Sequence, residues 1–216
     1  MSKSRLPLPE PRLLPWSLKP VESAATSLGY DAHGRMVMRI RHEVLKGLTP
    51  TMVAWWFANI GGDMMLDGRR IDRYLVWHPL DHIRWELVRP GREGRASVGA
   101  KFRIVEAFGR NEDFYIDVTE TVTRLDETGF TMTGKRMGHQ VTEMRHDFTA
   151  VDGGTLYVSA LTVGSAMPGL GPVINRVMHR HVFTAAMGRA WLKHNVEEVG
   201  LLEHIVPRCY PADAPR

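Results

Sequence analysis

"AWLKHNVEEVG", residues 190–200, reads as part of a long amphipathic helix, and what its inward side must face decides the fold. Met187, Trp191, Leu201 and Ile205 recur at helical spacing, and His194 and Glu198, four residues apart, fall on the same apolar stripe. A stripe of that kind faces the protein interior, while Lys193 and Glu197 are expected on more outward positions. An unpaired carboxylate carried inward costs several kcal/mol or takes up a proton, so the interior must hold something that satisfies Glu198.

Upstream of this helix the chain reads mainly as strands. "RMVMRIRHEVL" (35–45) alternates, and "GLTPTMVAWWFANIGGD" (47–63) offers Thr49 as the cap of one or two short helices. "YLVWHP", "HIRWELVRP", "ASVGAKFRIVEAFGR", "FYIDVTETVTRLDETGFTMTG", "HQVTEMRHDFTAV" and "GTLYVSALTVG" follow as strands, set apart by turn clusters such as "GRNED", "DETG" and "VDGG". From about Pro172 to about His204 the period is helical. A one-sided sheet and an amphipathic helix each need a partner, so the expected class is α+β, a curved antiparallel sheet around a long C-terminal helix. Pro7, Pro9, Pro11, Pro15 and Pro20 make residues 1–24 an extended arm, and residues 25–216 are expected to form a single domain.

The composition narrows the function classes. With 216 residues, 44% of them hydrophobic and 24% charged, the chain is long enough to bury a substantial core. Its net charge of +4 comes from dispersed basic residues whose tightest group, Arg89, Arg92 and Arg95, reads as a solvated turn, which argues against nucleic acid as a partner. No stretch approaches the ~20 apolar residues of a membrane helix, and the proline-broken N-terminus does not read as a signal peptide. The lone Cys209 leaves no internal disulfide, so a cytoplasmic location is expected.

Two further polar side chains point toward the space between sheet and helix. On "AKFRIVEAFG" strict alternation puts Ala100, Phe102, Ile104, Glu106 and Phe108 on one face, where Glu106 is the lone charge. In "YLVWHPLDH" Tyr74, Val76 and His78 share a face, and Pro79 ends the strand so that His78 turns into the cavity. Either residue could be ordinary, Glu106 paired with an inward arginine and His78 a plain buried imidazole. Taken with His194 and Glu198, however, two imidazoles and two carboxylates on one cavity explain each other if a divalent cation sits between them.

In that order, and placed strand, strand, helix, "YLVWHPLDHIRW", "FRIVEAFG" and "HNVEE" resemble the 2,4-diacetylphloroglucinol hydrolases and the related phloretin hydrolases. The resemblance runs from about Gly34 to about Glu203, with the W-H-P-x-D-H segment its most specific part. It implies a helix-grip fold of the Bet v 1/START kind and a Zn2+ held by His78, Glu106, His194 and Glu198, with Mn2+ or Fe2+ as less favoured occupants. It also implies hydrolysis of the carbon–carbon bond between an acyl group and a polyhydroxylated ring, and it allows a homodimer.

Such chemistry needs an activated water and an acid for the departing ring carbon. The acid candidates are His139, Tyr74 and Tyr157, with His146 and Asp81 also near; His139 best resembles the family's substrate-contacting histidine. Asp81, Trp55, Trp56, Phe102, Phe108 and Trp191 are expected to line the site of a small aromatic or β-diketone-like substrate. The rival reading is a carrier of an apolar or aromatic ligand without metal, in which Glu106 and Glu198 pair with arginines such as Arg84 or Arg145.

Overall fold

The computed structural model describes residues 5–92 and 94–212. Eleven strands and four α-helices follow in the order β1 (Ala25–Tyr30), β2 (Met36–Arg41), β3 (Leu45–Lys46), α1 (Pro50–Ala58), β4 (Asp63–Leu66), β5 (Arg69–Asp72), α2 (Arg73–Trp77), β6 (His82–Arg89), β7 (Lys101–Ala107), β8 (Tyr115–Asp126), β9 (Gly129–Arg136), β10 (His139–Val151), β11 (Gly154–Val163), α3 (Gly171–His181) and α4 (Ala185–Cys209). The main sheet is antiparallel, in the order β1-β2-β11-β10-β9-β8-β7-β6, with β3 also paired to β11. The fold is therefore α+β, a large curved sheet gripping a C-terminal helix.

Strand β11 shows why the sheet is one-sided, since its residues alternate buried and half-buried along its whole length. Between the sheet and α4, Met36, Met38 and Ile40 of β2 meet Met187, Trp191 and Val196 of α4. Helix α1, started by the Thr49 hydroxyl accepting from Met52 N and by Pro50, carries Trp56 and Phe57 into a second cluster with Phe130, Phe148 and the C-terminal half of α4.

One local expectation is overturned, and two local features add to the sequence reading. "YLVWHP" is not a strand: Asp72 Oδ1 accepts from Tyr74 N and Leu75 N, capping the short helix α2, whose Tyr74, Val76 and Trp77 are all buried. A small β4–β5 hairpin precedes it. The C-terminal helical region is two helices, because Thr184 leaves helical geometry and caps α4 through Met187 N.

The N-terminal arm is extended from residue 5 to residue 20 and lies on its own chain. Arg12 N donates to Pro79 O, Arg110 Nη1 donates to Pro9 O, and Trp16 stacks on His204 at 5.3 Å. Among the described residues, no helix is long and apolar enough to cross a membrane.

Helix α4 carries half of the candidate site, so its cap is a useful lever. Thr184→Ala is expected to cost about 1 kcal/mol and to lower the melting temperature by about 2–4 °C; differential scanning calorimetry checks this.

Candidate functional site

His82 opens β6, and in the antiparallel register its Cα stands opposite that of Glu106 on β7. A bulge between His82 and Arg84 inserts one extra residue, so that the opposed pairs His82–Glu106, Trp85–Ile104 and Leu87–Phe102 share the inner face. From the other side α4 brings up His194 and Glu198, one turn apart and both buried. His82 Nε2 lies 3.3 Å from Glu106 Oε1 and 3.4 Å from Glu198 Oε2, and His194 Nε2 lies 3.7 and 3.8 Å from Glu106 Oε2 and Glu198 Oε2.

Both imidazoles turn a lone pair toward the two carboxylates. His82 Nδ1 is 2.6 Å from the Tyr74 carbonyl, which can only accept, so Nδ1 carries the proton and the neutral ring presents a lone pair at Nε2. His194 Nδ1 donates to Asp81 Oδ2 at 3.0 Å, which leaves its Nε2 as a lone pair too. Two lone pairs and two carboxylates thus converge with no donor among them, and His82 Nε2 is buried without a partner. The remaining contacts hold the carboxylates from outside: the Tyr74 hydroxyl donates to Glu106 Oε1, and Asn195 Nδ2 donates to Glu198 Oε1 at 2.5 Å. Arg84 and Arg145 do not reach the cluster, being paired with Glu86 and Asp147.

Burial raises the Glu106 pKa to about 7 despite the neighbouring His82, and it raises Glu198 well above the ordinary range. Burial likewise lowers His82, and it lowers His194 well below an ordinary histidine. Ligands of a tetrahedral zinc ion at about 2.1 Å stand about 3.4 Å apart, close to the separations found here. Each imidazole also has its other nitrogen fixed by a carbonyl or a carboxylate, as metal-binding histidines commonly do. His82, Glu106 and His194, joined by Glu198, could hold a divalent cation.

His78, expected in this set, is placed elsewhere. Its Nδ1 accepts from Asp81 N at 3.1 Å, so Nε2 carries the proton and faces Glu197 Oε2 at 3.3 Å. His78 is therefore satisfied as a neutral imidazole, stacked on His194 at a ring separation of 4.4 Å, although it also lies within reach of a group with Asp81 and His194. Glu197, expected outward, is buried between His78 and Lys193. Asp81, expected to touch substrate, is a positioning residue: besides His194 it accepts from Gly109 N at 2.8 Å and Arg110 N at 3.1 Å.

A cavity of about 840 Å³, its mouth included, lies beside the cluster and is walled by Glu106, His194, Glu198 and Tyr74 at that end. Phe102, Phe108 and Trp191 line it as expected, together with Phe57, Trp77, Trp85 and Phe130. Trp55 and Trp56 do not: α1 turns Trp55 onto Tyr210 and Trp56 onto Trp77. Among the acid candidates Tyr74 is on the wall, whereas His139 is exposed at the start of β10 and Tyr157 is buried on β11 against His146 and Phe148, off the wall.

No protein-family model matches the chain, and no curated protein matches it. Several solved structures are similar in outline. A START superfamily protein from Mycobacterium smegmatis is 14% identical over 76% of this chain and 99% of its own, with a TM-score of 0.44. Protein Ms6760 from Mycobacterium smegmatis is 14% identical over 83% of this chain and 96% of its own, at 0.48. Ara h 8.0201 is 12% identical over 76% and 98%, at 0.41. Likeness at this level carries neither a family nor an activity.

The raised Glu106 pKa sets a pH dependence for protein stripped of metal. The folded chain retains a proton that the unfolded chain releases between the ordinary 4.5 and about 7. That stabilising contribution is complete below the lower value and is lost as pH rises through the higher one. Glu106→Gln cannot ionise, so in chelator it is expected to match the native chain in acid and to exceed it above neutrality by on the order of 3 kcal/mol. Denaturant unfolding across that pH range measures the difference, and a pH-independent gap would contradict it.

Proposed function

We propose that the protein is a metal-dependent hydrolase that cleaves the carbon–carbon bond between an acyl group and a polyhydroxylated aromatic ring. Zinc is the favoured metal, with His82, Glu106, His194 and Glu198 as its ligands. The observation that carries this reading is the convergence of two buried carboxylates and two fixed imidazole lone pairs with no protein cation between them. Nitrogen and carboxylate donors suit zinc, and equally admit manganese or iron.

A divalent cation in this position would activate a water and polarise an acyl oxygen. The chain's own residues supply the rest. Asp81 and the Tyr74 carbonyl hold the two imidazoles in one tautomer and one orientation. Phe108, Trp191, Trp85 and Phe102 offer flat walls to an aromatic ring and keep bulk water from it. In the reaction the oxygen of water joins the acyl carbon and the acyl–ring bond breaks. Its electron pair passes into the ring as the enolate of the keto tautomer, a side chain delivers a proton to the ring carbon, one proton of the water restores that side chain, and the other leaves with the carboxylic acid. Tyr74, which lines the cavity beside Glu106, is the side chain assigned here to give that proton. Burial and the adjacent Glu106 raise its pKa well above that of a free phenol, so it keeps the proton until a strongly basic carbon is next to it.

The purified protein is expected to carry close to one divalent metal per chain by elemental mass spectrometry, and its removal to lower the melting temperature by several degrees. His82→Ala should lose the metal and His78→Ala should keep it. The loaded protein should release a carboxylic acid and a deacylated phenol from acylphloroglucinols or phloretin, turning over simple aryl esters poorly, and Tyr74→Phe should slow this without metal loss. Folded protein that binds these compounds but holds no metal and turns nothing over would be a carrier, and the hydrolase reading would fail.

A further inference from the structure

The cavity holds a third buried carboxylate, one that the reaction above does not use. On β8, Ile116 stands opposite Glu106, Val118 opposite Ile104 and Glu120 opposite Phe102, so all three face the cavity with those partners. Glu120 is 7% exposed, and burial pushes its pKa upward. Its one hydrogen bond among the described residues comes from the Thr142 hydroxyl, 2.5 Å from Oε1; Oε2 has none. The fold makes room for this pair, because a Cβ on Gly134 would lie 2.2 Å from Thr142 Oγ1 and 3.0 Å from Glu120 Oε1. With Oε1 held by Thr142 and Oε2 free of a protein partner among the described residues, this carboxyl on the cavity wall is available to a polar group that enters the cavity.

Four strand residues separate the level of Glu106 from that of Glu120, about 13 Å along the sheet. Between the two levels the wall is apolar, with Ile104 and Val118. We propose that Glu120 is a specificity-determining residue that takes a hydroxyl at the far end of the ligand's acyl chain while the acyl carbonyl lies at the His82, Glu106, His194 and Glu198 cluster. A hydroxyl both donates and accepts, so it pairs with this carboxyl in either protonation state. An acetyl group is too short to reach so far from the cluster, whereas a hydroxyphenyl ring on a short alkyl spacer extends most of the way. The favoured ligands are therefore elongated, with an apolar middle and a hydroxyl at the end of the acyl chain remote from its carbonyl. This rests on the cavity being the ligand site proposed above, but neither on the metal nor on turnover.

The test compares phloretin with its analogue lacking the hydroxyl on the distal ring. Binding to the full-length protein is followed by stopped-flow quenching of tryptophan fluorescence, before any turnover. The native chain should bind phloretin at least about tenfold more tightly than the analogue, the range of a hydrogen bond to a charged group. In Glu120→Leu that ratio should fall to near unity through weaker phloretin binding, with the analogue bound as well as before or better. Glu120→Gln, which keeps the shape and one acceptor, should give an intermediate ratio and provides the test if the leucine variant does not fold. Equal affinities in the native chain, or a ratio that survives both substitutions, would overturn the proposal. Failure of both compounds to bind the native chain would overturn it by removing the cavity reading beneath it.

Discussion

Two buried carboxylates and two imidazole lone pairs facing one another, with no donor in their midst, are the constraint around which this site is organised. Glu106 and Glu198 lie within 3.3–3.8 Å of two imidazole nitrogens whose protons are committed elsewhere. Burial has removed the water that would otherwise satisfy them. Such a cluster costs several kcal/mol as it stands, and the chain has two ways to relieve it: protonate the carboxylates, as their raised pKa values show, or bind a cation. The fixed tautomers favour the cation. Rings free to turn would not need Asp81 and the Tyr74 carbonyl to aim both lone pairs at the same place.

The fold serves that arrangement through a few local devices. A bulge at the start of β6 brings His82 to the inner face, opposite Glu106. Helix α2 supplies the Tyr74 carbonyl and hydroxyl, and its Trp77 indole donates to the Glu198 carbonyl at 2.8 Å, joining α2 to α4. Asp81, in the turn between α2 and β6, gathers His194 with the backbone amides of Gly109 and Arg110, both of which have positive φ. All of these contacts are made within the chain, so the packing that closes one end of the cavity also positions the site.

How much of this was legible in the sequence follows from which periodicities survive folding. On helix α4 His194 and Glu198 stay in phase with Trp191 and Ile205, so their inward placement could be read directly, but residues 194–202 are all buried and the outward reading of Glu197 therefore failed. Strand β7 keeps strict alternation, and Glu106 was therefore found as a lone charge among apolar residues. His82 was not: strict alternation along "HIRWELV" groups it with Arg84 and Glu86 on the outer face, and only the bulge reverses this. Helix α2 is a single turn, too short to show a helical period, so Tyr74 and Val76 passed for a strand and His78 was carried into the site in place of His82. The aromatic wall was read half correctly for a related reason. Trp55 and Trp56 adjoin Phe57 in sequence, but on α1 successive side chains lie about 100° apart, and Phe57 is the one that faces the cavity. Glu120 went unnoticed because its relation to Thr142 and Gly134 depends on the β8–β9–β10 register rather than on any local pattern.

The most direct test of the central claim is anomalous diffraction from a crystal of the zinc-loaded protein, with data collected on either side of the zinc absorption edge. A single strong peak between His82 Nε2 and His194 Nε2, within bonding distance of Glu106 and Glu198, is the predicted result. A peak on His78 and Asp81, or no peak at the cluster in protein shown to contain zinc, would contradict the account.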